Sequence, residues 1–221
     1  MPIYKDPVPR QPSCIPQEEF WETAGSIELP ITFSYPNSDL FSLLEQRKSR
    51  RSFGAVTIQD ISTLLWFTQR RIGVYPGDSG RVKAPLPTAG ALSSLKTIIV
   101  GSSNSAWLYN GRKQHKGEFL PISESQCNSI RRSASNYLDI GEGTLLLFFA
   151  SRYFISEYYD SPDSLVLRDS GVVIGGMALI AEALGLAFCP LGTMAQDWVC
   201  SILDCSEERV VPGGAAVIGR R

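Results

Sequence analysis

The sequence is poor in the features that announce a metalloprotein, a secreted protein or a nucleic-acid binder. It has a single histidine, His115, and five scattered cysteines (Cys14, Cys127, Cys189, Cys200, Cys205) with no CxxC pair. Zinc sites draw their ligands from clustered His and Cys, so no metal centre is expected. The odd cysteine count fits reduced thiols and a cytoplasmic location. The opening MPIYKDPVPR lacks the basic-then-apolar order of a signal peptide. Charge of one sign is also lacking, with 21 basic against 22 acidic residues, which excludes a global field that gathers nucleic acid or anionic membrane. Nor is there a long apolar run free of charge. The most apolar stretch, 171–190, is interrupted by Glu182 and punctuated by Gly171, Gly175, Gly176 and Gly185. A membrane span needs about 20 largely apolar residues, so a buried helix with a close-approach face is the expected reading.

What is present is a core. Of the 221 residues, 43% are apolar and 19% charged, enough for one globular domain. Residues 1–37, rich in proline and turn formers with a short IELPIT run at 27–32, read as an arm laid over a body of residues 38–221. Leu40, Phe41, Leu43 and Leu44 predict a helix capped by Asn37 or Ser38 and ending near Arg47. A second helix is predicted to start at Thr57, with Asp60 at its positive end and Ile58, Ile61, Leu64 and Leu65 as its buried stripe. The glycines and prolines of 72–90 predict a loop. Leu95–Val100 and the unbroken TLLLFFA of 144–150 read as strands, the latter buried on both faces. Further helices are expected at 124–138 and 171–184, and strands at 186–189 and 214–218. Helices and strands mix without a βαβ rhythm, which favours an α+β fold.

Two segments stand out chemically. RKSRRSF at 47–53 places four basic side chains and two hydroxyls at a helix-to-loop junction, a donor set suited to a phosphate. APLPTAGALSSL at 84–95 is a run of small residues and prolines leading into a strand, against which a flat ring could lie, with Thr88 adding a hydroxyl. His115 sits in the basic, hydrophilic GRKQHKGEF, which reads as a surface hairpin with an exposed histidine. Trp66, Trp107 and Trp198 are assigned to packing.

Taken together with RDSGVVIGGMALIAEALGLAFCPLG at 168–192 and the terminal AVIGRR, these segments resemble the nitroreductase superfamily, and within it the SagB-type dehydrogenases of thiazole and oxazole peptide biosynthesis. The likeness runs from near Ile27 to the C-terminus. It implies a nitroreductase-like α+β fold, a central antiparallel or mixed sheet flanked by helices, and an interlocked homodimer with FMN between subunits. It implies that Arg47, Ser49, Arg51 and Phe53, assisted by Lys48, meet the FMN phosphate and ribityl chain. By the same resemblance Pro87, Thr88, Ala89, Gly90, Ala91 and Leu92 run along the flavin, Pro190, Leu191 and Gly192 lie nearest its ring, and Arg220 reaches the phosphate. The family's DAGH segment corresponds to Asp169, Ser170, Gly171 and Val172, so its histidine is replaced.

A Lys-Tyr pair of the azoline-oxidising members falls at Glu157 and Tyr158, with tyrosine kept and lysine replaced; Tyr158 is the candidate catalytic residue, and Tyr159 an equal one if the loop is a residue shorter. The activity so implied is FMN-dependent oxidation of azoline or related groups on a peptide, alongside other biosynthetic enzymes. Two other functions stay open: a nitro or quinone reductase drawing hydride from NADH or NADPH, and a flavoprotein scaffold subunit without catalysis.

Overall fold

The computed structural model describes residues 5–12, 16–31, 37–76, 78–103 and 105–221. The chain begins with β1 (Val8–Pro9) and β2 (Gly25–Glu28), followed by α1 (Leu40–Gln46) and α2 (Ile58–Thr68). A hairpin of β3 (Gly73–Tyr75) and β4 (Asp78–Lys83) leads to a single 3-10 turn at Ala89–Ala91. Then come β5 (Leu95–Val100), β6 (Ala106–Tyr109), β7 (Lys116–Phe119), α3 (Glu124–Ser135) and β8 (Thr144–Ser151). The remainder is α4 (Arg152–Ser156), β9 (Tyr159–Asp160), α5 (Asp163–Ala183), β10 (Leu186–Leu191), α6 (Gln196–Leu203) and β11 (Val210–Arg220).

Seven strands form one sheet in the order β10-β11-β8-β5-β6-β7-β2, and every pairing in it is antiparallel. β8 shows why its sequence alternates nothing. Leu146, Phe148 and Ala150 face one core with α2 and α5, while Leu145, Leu147 and Phe149 face a second with α3 and α6. With helices over both faces, every position of the strand is buried, and such strands read as continuous apolar runs. β11 keeps the same alternation only because a bulge between Pro212 and Gly214 restores its register.

Local chemistry sets the helix ends. Thr57 and Asp60 form a reciprocal capping box on α2. Its stripe is narrower than the spacing implies, since Ile61, Leu64 and Leu65 are buried while Ile58 is 38% exposed. α1 is capped by Asp39, whose carboxylate accepts from the Ser42 amide, rather than by Asn37 or Ser38. α5 starts eight residues earlier than the apolar pattern suggests, because its first two turns mix Leu165, Val166 and Leu167 with Asp163, Ser164, Arg168, Asp169 and Ser170. Long and apolar enough to cross a membrane, it instead lies across α2, β10 and β11.

Two further expectations are corrected. The 72–90 segment is not simply loop: β3 and β4 pair through Gly73↔Lys83 and Val74↔Val82, because Val74, Tyr75 and Val82 supply strand-forming positions between the turn residues. His115 is not an exposed hairpin residue. The Tyr109 hydroxyl donates to its Nδ1 (2.8 Å), its Nε2 lies 2.9 Å from Ser62 Oγ, and Trp66 packs edge-on at 4.8 Å. The Ser62 hydroxyl in turn donates a hydrogen bond to the Pro30 carbonyl. Burial holds the imidazole pKa down to about 4, so the ring is a neutral tie between α2, β6 and the 29–31 segment. The IELPIT run contributes β2, which pairs with β7 at the sheet edge; Thr32 and Cys14 lie outside the described residues.

Candidate flavin site

The basic segment 47–54 is extended chain that runs off α1 and is stapled at two levels. Its backbone pairs with the sheet: Arg50 N–H donates to the Phe188 carbonyl (3.2 Å), and Gly54 and Arg220 exchange hydrogen bonds of 2.8 and 2.9 Å. Phe53 fills the space left by Gly219 and Gly143, where a methyl group would come within 2.5 and 2.8 Å of its Cβ. The second level is ionic. Glu182, near the C-terminus of α5 and 7% exposed, accepts from Arg50 Nη2 at 2.7 Å and Arg221 Nη2 at 2.8 Å. Burial alone pushes the Glu182 carboxyl up, but the two guanidiniums outweigh it and hold it below the usual range.

This division of labour is what makes the segment a site. Arg50 is spent on structure, whereas Arg47, Lys48, Ser49 and Arg51 are exposed. Among the described residues Arg47, Lys48 and Arg51 meet no carboxylate. Three exposed cations and a hydroxyl on a fixed backbone have the donor chemistry to receive a phosphate. Arg220 joins them from the end of β11, its guanidinium resting on Asp60 at 3.0 Å and 54% exposed. From that corner β10 leads toward Pro190, Leu191 and Gly192. The register pairs Leu186 with Arg220 and Leu191 with Ala215, so strand rise separates the two ends by about 17 Å.

The small-residue loop has its own support. Both carboxylate oxygens of Asp169, on α5, accept from the Ala89 amide (2.9 and 3.1 Å). Gly90, Ala91 and Ser93 all adopt positive φ, +56°, +57° and +47°, a conformation that costs an L-residue about 1 kcal/mol or more. The Thr88 hydroxyl accepts from the Ser93 amide at 3.0 Å and stitches the turn shut. Leu86 packs against Gly176, and Leu92 is buried. Pro87 and Gly90 are exposed, Thr88 and Ala89 half-buried. Burial raises the Asp169 pKa to about 6, only partly offset by Ala89 and Arg168.

Of the two tyrosines, Tyr158 is buried against Phe154 at 5.5 Å, while Tyr159 is half-buried with its hydroxyl against Gly90, where a methyl would come within 2.5 Å of it. Glu157 caps the end of α4. Among the described residues no cluster of His, Cys, Asp or Glu could hold a metal ion. Asp169 and Glu182 are the supporting residues whose roles the sequence did not disclose. A signal existed for Glu182, the lone charge in an apolar helix.

The sequence matches the Nitroreductase family over residues 44–220, and the chain belongs to that family. A comparison with curated proteins gives no match. Solved structures share the fold at low identity. A protein assigned as a nitroreductase from Ralstonia eutropha JMP134 superposes with a TM-score of 0.70 at 17% identity, covering 98% of both chains. A chain of the E. coli microcin synthetase McbBCD complex with truncated pro-MccB17 bound gives 0.56 at 17% identity, covering 88% of this chain and 77% of that one. A protein assigned as a nitroreductase from Desulfovibrio desulfuricans, in complex with FMN, gives 0.55 at 14%, covering 83% and 87%.

Proposed function

We propose that this chain is an FMN-dependent oxidoreductase, active as a homodimer, that dehydrogenates azoline or related groups on a peptide. The observation that carries the reading is the set of exposed cations at Arg47, Lys48 and Arg51, fixed by Arg50, Phe53 and Glu182 and, among the described residues, without carboxylate partners. The donor chemistry fits FMN: Arg47, Lys48, Ser49, Arg51 and Arg220 would hold its phosphate and polyhydroxyl tail. Pro87, Thr88, Ala89 and Gly90, backed by the buried Leu92, and with Pro190, Leu191 and Gly192, offer the small, backbone-rich surfaces a flat ring needs. Bound FMN supplies reversible acceptance of two electrons as hydride. The complex of the D. desulfuricans protein with FMN supports the cofactor, and the peptide bound to McbBCD supports the substrate class.

Distances within one chain support the dimer. Asp169 holds the small-residue loop and Glu182 holds the basic segment, and they sit thirteen residues apart on α5, about 20 Å by helix rise. Pairing the loop of one subunit with the basic corner of another closes a site that one chain leaves open. The exposed apolar residues Leu40, Phe41 and Leu44 of α1, beside α5, supply the surface such a partner would bury. Loss of hydride from an azoline also releases a proton, and the hydroxyl of Tyr159, which lies against Gly90, or that of Tyr158 would relay it, receiving the substrate's proton while passing its own to solvent.

The test is the visible spectrum of the purified protein, with the released chromophore identified by mass and the particle size measured by light scattering. A yellow dimer with about one FMN per chain is expected, stabilised by added FMN. A colourless chain whose melting ignores FMN overturns the reading and leaves a scaffold. With cofactor in place, azoline peptides are expected to lose two hydrogens; rapid bleaching by NADPH with no change in peptide mass would assign a nitro or quinone reductase instead.

A further inference from the structure

The N-terminal segment does something specific beside the small-residue loop. Val8 and Pro9 of β1 pair antiparallel with Asp160 and Tyr159 of β9. The Arg10 amide donates to the Tyr158 carbonyl at 2.7 Å, and its guanidinium donates to the Ser156 carbonyl (3.1 Å) and pairs with Asp160. Residues 9–10 thereby roof a cleft whose other walls are Arg81, Gly90, Leu92, Tyr158 and Tyr159, leaving a cavity of about 20 Å³, room for a single water. The strap therefore lies over the cleft that holds Tyr159, the tyrosine whose hydroxyl meets Gly90.

Its hold is slight. The ladder is two residues long, Val8 is 57% exposed, and both ends of the Arg10–Asp160 pair are about half exposed, where an ion pair contributes little. Short extended segments that add to a free strand edge are a common way of binding peptides, with backbone hydrogen bonds giving affinity and side-chain contacts giving selectivity. We propose that the β9 edge is a docking edge for an extended peptide carrying a basic residue, and that Val8–Arg10 occupies it in cis until such a peptide displaces the strap. The occupant is the substrate peptide, so the proposal rests on the peptide reading above and adds how the peptide is gripped: backbone on Tyr158–Asp160, and a cation on Asp160 and the Ser156 carbonyl.

The experiment needs no flavin chemistry, so its failure is distinct from failure of the cofactor reading. A fluorescein-labelled peptide of residues 5–12 is titrated by anisotropy into the full-length chain and into full-length Arg10→Glu, which sets like charges against each other at Asp160. Hydrogen exchange at the Arg10 amide reports the strap in parallel. The Arg10→Glu chain is expected to exchange faster and to bind the peptide about tenfold or more tightly than the unaltered chain, while a peptide carrying the same Arg10→Glu change loses that binding. Equal affinity for the two chains overturns the proposal, as does equal affinity of the two peptides. An open strap that captures no peptide, or an exchange rate that Arg10→Glu leaves unchanged, does so too.

Discussion

Two groups of cations in this molecule face opposite circumstances. Lys96 and Arg112 are 1% and 9% exposed and converge on Glu18, which also takes a hydrogen bond from Asn110. Arg112 goes on to donate to the carbonyls of Leu92 and Gly80, so this cluster binds the 16–31 segment, the β4 hairpin and the small-residue loop into one body. Arg47, Lys48 and Arg51 are exposed and, among the described residues, meet no carboxylate. Buried charge is tolerated only when paired, whereas exposed, unpaired charge on a fixed backbone is free to bind an anion. The contrast separates cations that hold the fold together from cations whose donors are open to a ligand.

The largest expected effect breaks the first group. Glu18→Ala leaves Lys96 and Arg112 buried without their counter-charge and should cost about 3–5 kcal/mol, read as a lowered denaturant midpoint with its slope retained. Burial alone raises the Glu18 carboxyl, yet Lys96, Arg112 and the hydrogen bonds from Asn110 and Arg112 hold it below its ordinary value. A carboxyl with a depressed folded pKa stabilises at pH above its unfolded value, and that stability is lost as pH falls through the folded pKa. Acid should therefore destabilise the unaltered chain more than Glu18→Gln, and parallel acid profiles would show that the cluster is not ionised as drawn.

The second group should respond in the opposite currency. Arg47→Ala and Arg51→Ala each remove a charge-assisted contact worth about 1.5–3 kcal/mol, so FMN affinity should fall roughly tenfold to a hundredfold for each, measured by flavin fluorescence on titration. Thermal stability of the FMN-free protein should stay within about 0.5 kcal/mol, as for other surface changes. A drop in stability with affinity intact would mean the two groups of cations are not different in kind.

Asp169 stands between the groups, a buried carboxylate that serves the loop. Its folded pKa of about 6 lies above the ordinary aspartate value. The unfolded chain then releases the proton first, so stability declines as pH rises from about 4 to 6 and the cost persists above that. Asp169→Asn keeps an oxygen for the Ala89 amide and has no proton to lose. Its stability should lack that decline and exceed the unaltered chain's at pH 8 by about 1–2 kcal/mol, seen in melts across pH. An identical pH profile would locate the titration elsewhere.

How much of this was legible beforehand follows the same division. β8 and the Thr57 cap of α2 were readable because burial on two faces writes a continuous apolar run and capping writes Thr-x-x-Asp, and β5 was readable from the β-branched Thr97, Ile98, Ile99 and Val100 that follow Lys96. The donor run at 47–53 was visible as composition, but sequence could not say that Arg50 is withdrawn into an ion pair with Glu182, 132 positions away. Long-range partners also explain the misreading of His115, whose hydrophilic neighbours suggested solvent while Ser62, Trp66 and Tyr109 enclose it. The β3–β4 hairpin was obscured because glycine and proline dominate its composition while only three residues carry the strand signal.

The smallest effect sharpens the comparison most, because Arg220 belongs to neither group: paired, yet more than half exposed. Its partner Asp60 is shared, accepting also from the Thr57 amide and hydroxyl at 2.8 Å. Asp60→Asn keeps a side-chain oxygen for the cap and removes the charge that competes with a phosphate for Arg220. Exposed ion pairs contribute about 0–1 kcal/mol, so stability should fall by less than that. FMN affinity should rise about twofold to fivefold, since the arginine no longer has to leave a carboxylate to meet the ligand. If affinity instead falls, Asp60 is orienting the Arg220 fork toward the phosphate, and Arg220 then belongs with the cations that build the site.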